Sequence, residues 1–263
     1  MADKLAYEVH EGSGPHALFI CGAMATRSIW ALNTSALRHV CRPVVVEMWG
    51  HGRSPTPSDP GAYGAAGYAD ALEAIRAELG LDTWFVFGQS LGASLAIHLA
   101  IETPLAVRGL VIANDYAASL RGGEIDHMLS HQASRSGQLR GPAGKATLGR
   151  YLNHPARAGY ARDIAPDVRL ALIREWDEID PVGVANTAEI TVPAVVGLAL
   201  SKLSVPTLLV HGTREKPFAV QAERLAAEVA NIEVVEVAAG HVVNVEAARA
   251  FNGFAAQFLR RHS

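Results

Sequence analysis

Apolar residues in this chain gather in short unbroken runs, separated by stretches where they recur every three or four positions. Ala17–Ile20, Pro43–Glu47 and Trp84–Phe87 are runs of the first kind and predict buried strands. Tyr68, Leu72, Ile75 and Leu79 fall at i, i+4, i+7 and i+11, which places them on one face of a helix. A second helix is predicted over Leu91–Ile101, and Val107–Ile112 reads as the next strand. Strands that are apolar throughout, alternating with helices, predict a mostly parallel sheet covered on both faces.

From about Tyr116 to Leu203 that alternation stops. The segment reads as helical and is broken at Gly122-Gly123, Gly141-Pro142, Pro155, Pro166, Pro181 and Pro193. Strand character returns at Val205–Val210 and again at Ile232–Val237, with a helix over 217–230 between them. A last helix carries Val245, Phe251, Phe254 and Phe258. The expected organisation is one α/β core in two parts, residues 1–115 and 204–263, interrupted by a helical lid over 116–203.

Composition narrows the function classes. With 26 acidic against 23 basic residues and a net charge of −3, the chain has no basic stripe, so nucleic acid is not an expected partner. The longest apolar stretch, Ile190 to Leu200, contains Pro193 and is about half of what spans a bilayer. No apolar segment follows Met1, so a cytoplasmic protein is expected, with no membrane partner. Cys21 and Cys41 alone make no disulfide framework, and Cys21 reads as a small buried hydrophobe. Val195–Leu200 is a candidate homodimer surface.

Gly88-Gln89-Ser90-Leu91-Gly92 carries the chemistry. It fits G-x-S-x-G between a predicted strand and a predicted helix. A sharp turn there lifts a serine hydroxyl above the sheet edge, and small residues on either side relieve the crowding. The helix N-terminus also offers backbone N–H groups to a developing negative charge. A serine hydroxyl is nearly inert at neutral pH, so it needs a base within reach. Gly240-His241, after the Ile232–Val237 strand, supplies an imidazole.

Read in order, these segments resemble the α/β-hydrolase family over nearly the whole chain outside the lid. Cys21-Gly22-Ala23-Met24, with Trp30 eight residues beyond Gly22, resembles the family's turn after an early strand, with Cys21 where a His is usual. Glu47-Met48-Trp49-Gly50-His51-Gly52-Arg53-Ser54 resembles its following structural loop, with Glu47 and Trp49 in place of Asp and Arg. The resemblance implies Ser90 as nucleophile, His241 as base, and the N–H groups of Ala23 and Leu91 as oxyanion donors. It implies Glu215, after the Val205–Val210 strand, as the acid, with Asp115 at the end of the pre-lid strand as the alternative. His51 is expected to be structural rather than a base.

Other clusters carry less. His127 and His131 share a helical face but lack further metal-ligand partners, and Asp177, Glu178 and Asp180 read as a solvated helix end. No nucleotide loop is present, and neither metal nor organic cofactor is implied. The lid and the adjoining loops offer Met24, Tyr116, Met128, Trp176 and Val242 as substrate-contact candidates. This mixed apolar lining suits a neutral ester or lactone; Arg135, Arg140, Arg157 or Arg162 would make an anion clamp if turned inward. The expected activity is hydrolysis of a carboxylic ester or lactone of a small-molecule substrate. The same residues also fit a C–C bond hydrolase, a cofactor-free perhydrolase, or a receptor without turnover. Dehalogenases and epoxide hydrolases are disfavoured, because they use a carboxylate where this chain has Ser90.

Overall fold

The computed structural model describes residues 3–152, 166–214 and 216–263. The apolar runs become a seven-stranded sheet: β1 (Tyr7–Val9), β2 (His16–Ile20), β3 (Arg42–Val46), β4 (Trp84–Ser90), β5 (Val107–Asp115), β6 (Thr207–Gly212) and β7 (Ile232–Val237). Their spatial order is β1-β3-β2-β4-β5-β6-β7. Only the β1–β3 pairing is antiparallel; the others are parallel. The fold class is therefore the one expected. β1 was not foreseen: its three residues are only half-buried at a sheet edge, too few for a periodic signal.

Strand residues alternate between two cores. Leu18, Ile20, Val44, Val46, Trp84, Val86, Leu110 and Ile112 point to one face. There they meet α2 (Ala65–Glu78), α3 (Leu91–Glu102) and α9 (Lys216–Glu228) through residues such as Leu72, Leu95 and Leu225. Phe19, Val45, Phe85, Phe87, Val111 and Val210 point to the other. They pack on α1 (Ala31–Leu37) and on α11 (Ala248–His262), the longer partner of the short α10 (Val243–Glu246). Phe19 and Phe87 stack with ring centroids 4.3 Å apart, and Trp30 meets both rings edge-on. Both faces are covered by helices, which explains strands without polar alternation.

Between β5 and β6 the described residues contain helices and no strand: α4 (Gly123–Arg140), α5 (Gly144–Leu152), α6 (Pro166–Glu175), α7 (Pro181–Asn186) and α8 (Val192–Val195). Proline opens α6 and α7, where its missing N–H costs nothing. Asp180 caps α7 by accepting from the Val182 N–H at 2.9 Å.

Ion pairs tie this insertion to the core. Arg27 lies in the turn after β2 and reaches the fully buried Glu47 at 3.3 Å, Glu175 at 3.2 Å and Glu178 at 2.9 Å. Glu175 also accepts from the Thr26 hydroxyl and the Ser28 N–H. The hydrogen bond to Glu178, followed by attraction from Glu175 and Glu47, makes Arg27 harder to deprotonate. Nearby, the Thr56 hydroxyl donates to Asp180 at 2.6 Å, and Gly183 packs so tightly on Gly50 that a Cβ there would lie 2.5 Å from the Gly50 Cα. The acidic segment read as solvated is thus partly a latch: Glu178 and Asp180 bind core groups, and Asp177 remains exposed.

Replacing Arg27 by alanine leaves Glu47 with Arg53 as its remaining ion-pair partner and strips both insertion carboxylates of their guanidinium. Unfolding free energy in denaturant titrations should fall by about 2 kcal/mol. Amide hydrogen exchange over residues 174–180 should quicken more than over β4.

Candidate active site

β4 runs three residues past the predicted Phe87 and ends on Ser90, whose backbone is held at φ +56° and ψ −120°. A non-glycine residue there is strained, and the packing around it enforces the strain. A Cβ on Gly88 would lie 2.4 Å from the Gly92 carbonyl oxygen, and one on Gly92 would lie 2.5 Å from that of Ile20. The two glycines let α3 turn back against β2, so that Leu91 opens the helix directly behind the serine. An N–H at that first helical position has no acceptor within the helix.

His241 meets Ser90 across the C-terminal edge of the sheet, with Nε2 2.9 Å from Oγ. The loop bearing it is held at both flanks. Glu246 accepts from the Gly240 N–H at 2.8 Å and the Val242 N–H at 3.2 Å. The Asn114 amide, at the end of β5, donates to the Gly240 and His241 carbonyls at 3.1 and 2.9 Å. Its own oxygen accepts from the Gly212 N–H and from His211 Nδ1, both at 3.1 Å. Asn114 thereby clamps the end of β6 to the histidine loop, and its φ of +49° suits an asparagine better than most residues. Phe218 covers the imidazole, ring centroids 4.7 Å apart.

The turn after β2 closes the other side. Ala23 lines the same cavity as Ser90 and His241. The next N–H, of Met24, donates to His51 Nε2 at 3.0 Å, while His51 Nδ1 lies 2.9 Å from the Trp49 carbonyl. His51 is fully buried, a brace between two loops. Glu47, in place of the family's usual Asp, accepts from the backbone N–H groups of Arg27 and Arg53 and from both guanidinium groups. Cys21 is completely buried, and burial pushes its thiol far up from its ordinary range. The thiolate is therefore suppressed.

The cavity beside Ser90 measures about 190 Å³. Met24 and Tyr116 line it, together with Gln132, Arg135, Val184, Thr187, Ala188 and Val192. Met128 instead lines an adjacent, more open groove that also includes Tyr116 and Phe218. Two expected contacts lie elsewhere. Trp176 packs against the small core of the insertion, and Val242 is buried in the core beneath the sheet. Gln132, on the polar part of α4, escaped a reading built on apolar periodicity, although Met128, Gln132 and Arg135 stand at i, i+4 and i+7. Arg140 turns away to Asn186 and Glu189. Glu215, Arg157 and Arg162 lie outside the described residues.

Asp115, the alternative acid, is committed elsewhere. Its buried carboxylate accepts from the Ser94 and Ser119 hydroxyls, both at 2.7 Å, and from the Ser119 and Ala118 N–H groups at 2.9 and 3.2 Å. These bonds anchor α3 to the turn after β5, and none reaches His241. Among the described residues no group of His, Cys, Asp and Glu could hold a metal, and no helix is long and apolar enough to cross a membrane.

The sequence of residues 17–254 matches the model of the alpha/beta hydrolase family. The chain belongs to the α/β-hydrolase family. Within it, a proline iminopeptidase of Levilactobacillus brevis is 27% identical over 66% of this chain and 64% of its own length, so the match spans less than two thirds of that relative. MenH from S. aureus shares the fold over 100% of this chain and 99% of its own, with a TM-score of 0.86 at 17% identity. An enol-lactonase from Burkholderia xenovorans LB400 does so over 97% and 96%, with a TM-score of 0.79 at 23% identity. At such identities the structural likeness speaks for an α/β-hydrolase fold, and the chemistry must be argued from the site.

The clamp around Asn114 has a pH signature. Burial lowers the pKa of His211 from its ordinary value, and the nearby Glu236 only partly offsets this. Burial also lowers that of His98. The unfolded chain therefore takes up these protons first as pH falls. Their contribution to stability is complete above the ordinary imidazole value of about 6.5 and declines below it. Melting temperature should drop between pH 7.5 and pH 5, and the drop should be smaller in a His98→Asn, His211→Asn double variant.

Proposed function

We propose that this protein is a serine hydrolase that cleaves a carboxylic ester or lactone through an acyl-enzyme on Ser90. The observation that carries the reading is the 2.9 Å approach of His241 Nε2 to the hydroxyl of a serine strained at the head of α3. Nucleophile and base at hydrogen-bonding distance, with backbone donors beside them, form the minimum apparatus for acyl transfer.

In this reading Ser90 Oγ attacks the carbonyl carbon and its proton passes to His241 Nε2. The N–H groups of Ala23 and Leu91 receive the oxyanion. The tetrahedral intermediate then collapses, the bond to the leaving oxygen breaks, and His241 returns the proton to that oxygen. Water gives a proton to His241 as its oxygen attacks the acyl carbon. Collapse releases the carboxylic acid and restores Ser90. With a lactone the leaving alcohol stays attached to the acyl group.

Glu215 is the proposed acid, orienting His241 and stabilising the imidazolium. Its place after β6 supports this, and Asp115 is a weak rival because its carboxylate is already saturated by Ser94, Ala118 and Ser119. A carboxylate nucleophile, as halide or epoxide chemistry would use, is not available at position 90. The helices described between β5 and β6 form the proposed lid above the cavity.

The test is hydrolysis of a p-nitrophenyl ester series, C2 to C12, together with fluorophosphonate labelling. Wild type should turn over the shorter members. Ser90→Ala should abolish both turnover and labelling, and Glu215→Gln should reduce kcat by about a hundredfold or more with Ser90 still present. Wild type that neither turns over esters nor accepts the label would refute the reading.

A further inference from the structure

Two spaces meet beside Ser90. The first is the cavity of about 190 Å³ that Ala23, Ser90 and His241 line. The second is a groove of about 610 Å³ between α4 and α9, walled by Tyr116, Leu120, Met128, Phe218, Val220 and Gln221. Tyr116 belongs to both, and its hydroxyl accepts from the Gln132 amide at 2.8 Å. Phe218 belongs to the groove and lies against the His241 ring, centroids 4.7 Å apart. The groove therefore begins at the base, whereas Ala23, the proposed oxyanion donor, lines the small cavity and not the groove.

This placement sorts the two halves of an ester. In the tetrahedral intermediate the oxyanion points to the Ala23 and Leu91 N–H groups, and the leaving oxygen must face His241 Nε2, which protonates it. The alcohol half then extends along His241 and Phe218 into the groove. The acyl substituent is left with the small cavity, among Val184, Ala188 and Val192. Two aromatic rings, a thioether and two aliphatic side chains suit an apolar, ring-bearing alcohol. Glu124, the one carboxylate among the described residues of the groove, is already paired with Arg224 at 2.8 Å and accepts from the Arg121 N–H at 2.9 Å. His127, on the same wall, is exposed to solvent. Gln221 is different. It is only 7% exposed, and its amide oxygen has no hydrogen-bond partner among the described residues. A buried acceptor left unpaired is costly, and the soft terminal torsion of glutamine lets the amide turn toward a donor in the groove.

We propose that Ser90 acts on an ester of a short carboxylic acid and a bulky, largely apolar alcohol, whose ring lies in the groove between α4 and α9 and whose hydrogen-bond donor meets Gln221. This deepens the serine-hydrolase reading and rests on it. It also selects an open-chain ester over a lactone, because the two halves occupy separate spaces.

The experiment compares two isomers, 2-(indol-3-yl)ethyl acetate and methyl 3-(indol-3-yl)propanoate, which carry the same ring and differ in the direction of the ester. Rates are read as acid released in a pH-stat, alongside fluorophosphonate labelling of Ser90. Wild type should favour the acetate by about tenfold or more in kcat/KM. Gly123 lines the groove, and a Cβ there would meet nothing within 4 Å, so Gly123→Trp should fold and fill the groove. It should reduce the preference by about fivefold or more, mainly through KM. Methylation of the indole nitrogen removes the donor and should cost the acetate about fivefold in wild type and nothing in Gln221→Leu. Equal rates for the two acetates in wild type would overturn the contact with Gln221. Wild type that labels but cleaves both isomers equally, or prefers the propanoate, would overturn the groove as the alcohol site and leave the serine reading standing. Absence of labelling in wild type would overturn both.

Discussion

The structure around the site depends on one unfavourable backbone conformation. Ser90 sits at φ +56°, where a side chain crowds its own backbone, and the glycines of the pentapeptide permit that conformation without favouring it. Tertiary packing imposes it. β4 lies between β2 and β5, so the strand cannot shift without breaking both ladders. α3 is pressed on β2 so closely that Gly92 has no space for a Cβ. Asp115 and Ser94 tie the helix to the far side. The strain persists because sheet, helix and loop over-determine it, and the result is a hydroxyl presented in a fixed direction. The partner must be equally fixed, because a base misplaced by about 1 Å loses much of its advantage. That explains why so much hydrogen bonding converges on the backbone of His241: Asn114 on two carbonyls, Glu246 on the flanking N–H groups.

What the sequence made legible divides along a physical line. Strands such as Trp84–Phe87 and Val107–Ile112 were readable because burial on both faces leaves an unbroken apolar run, and that signal is local. Ser90 was readable because a strained strand-to-helix turn needs small residues at fixed offsets. Asn114 was a different matter. In the chain it is the residue before Asp115, and its merit appears only when β6 and the histidine loop arrive beside it, about a hundred residues further on. Glu246 and Phe218 were hidden in the same way, and His51 was legible as structural but its partner Met24 was not. Each acts through a partner distant in sequence, or through backbone groups that every residue carries. Asp115 looked available as an acid because sequence shows a carboxylate and not the hydroxyls that occupy it. The insertion was legible as helical from its prolines, but not by face. The face of α4 that meets the cavity is polar, and apolar periodicity does not see a polar stripe.

The same logic accounts for the acidic segment before Pro181. A run of carboxylates usually faces water, and Asp177 does. Glu175 and Glu178 instead meet Arg27, which also serves the fully buried Glu47. A buried carboxylate is costly unless its lone pairs are filled, and Glu47 fills them from two backbone N–H groups and two guanidinium groups. Arg27 therefore couples two demands: it satisfies an anion inside the core and holds two anions on the insertion. The position of the insertion over the sheet edge is thereby linked to the integrity of the loop that begins at Glu47. Through His51 that loop also braces the turn carrying Ala23.

This coupling also bears on how the cavity is built. One wall belongs to the core turn at Ala23 and Met24, the opposite wall to α4 and to the segment from Val184 to Val192. Asp180 and Gly183 fasten the latter to the loop at Gly50, so both walls share one support. Arg135 reaches across from α4 and donates to the Met24 sulfur, which joins the two walls. The placement of the Ala23 turn beside Ser90 and the position of α4 across the cavity thus draw on the same loops. Loosening the Glu47–Ser54 loop would weaken both together.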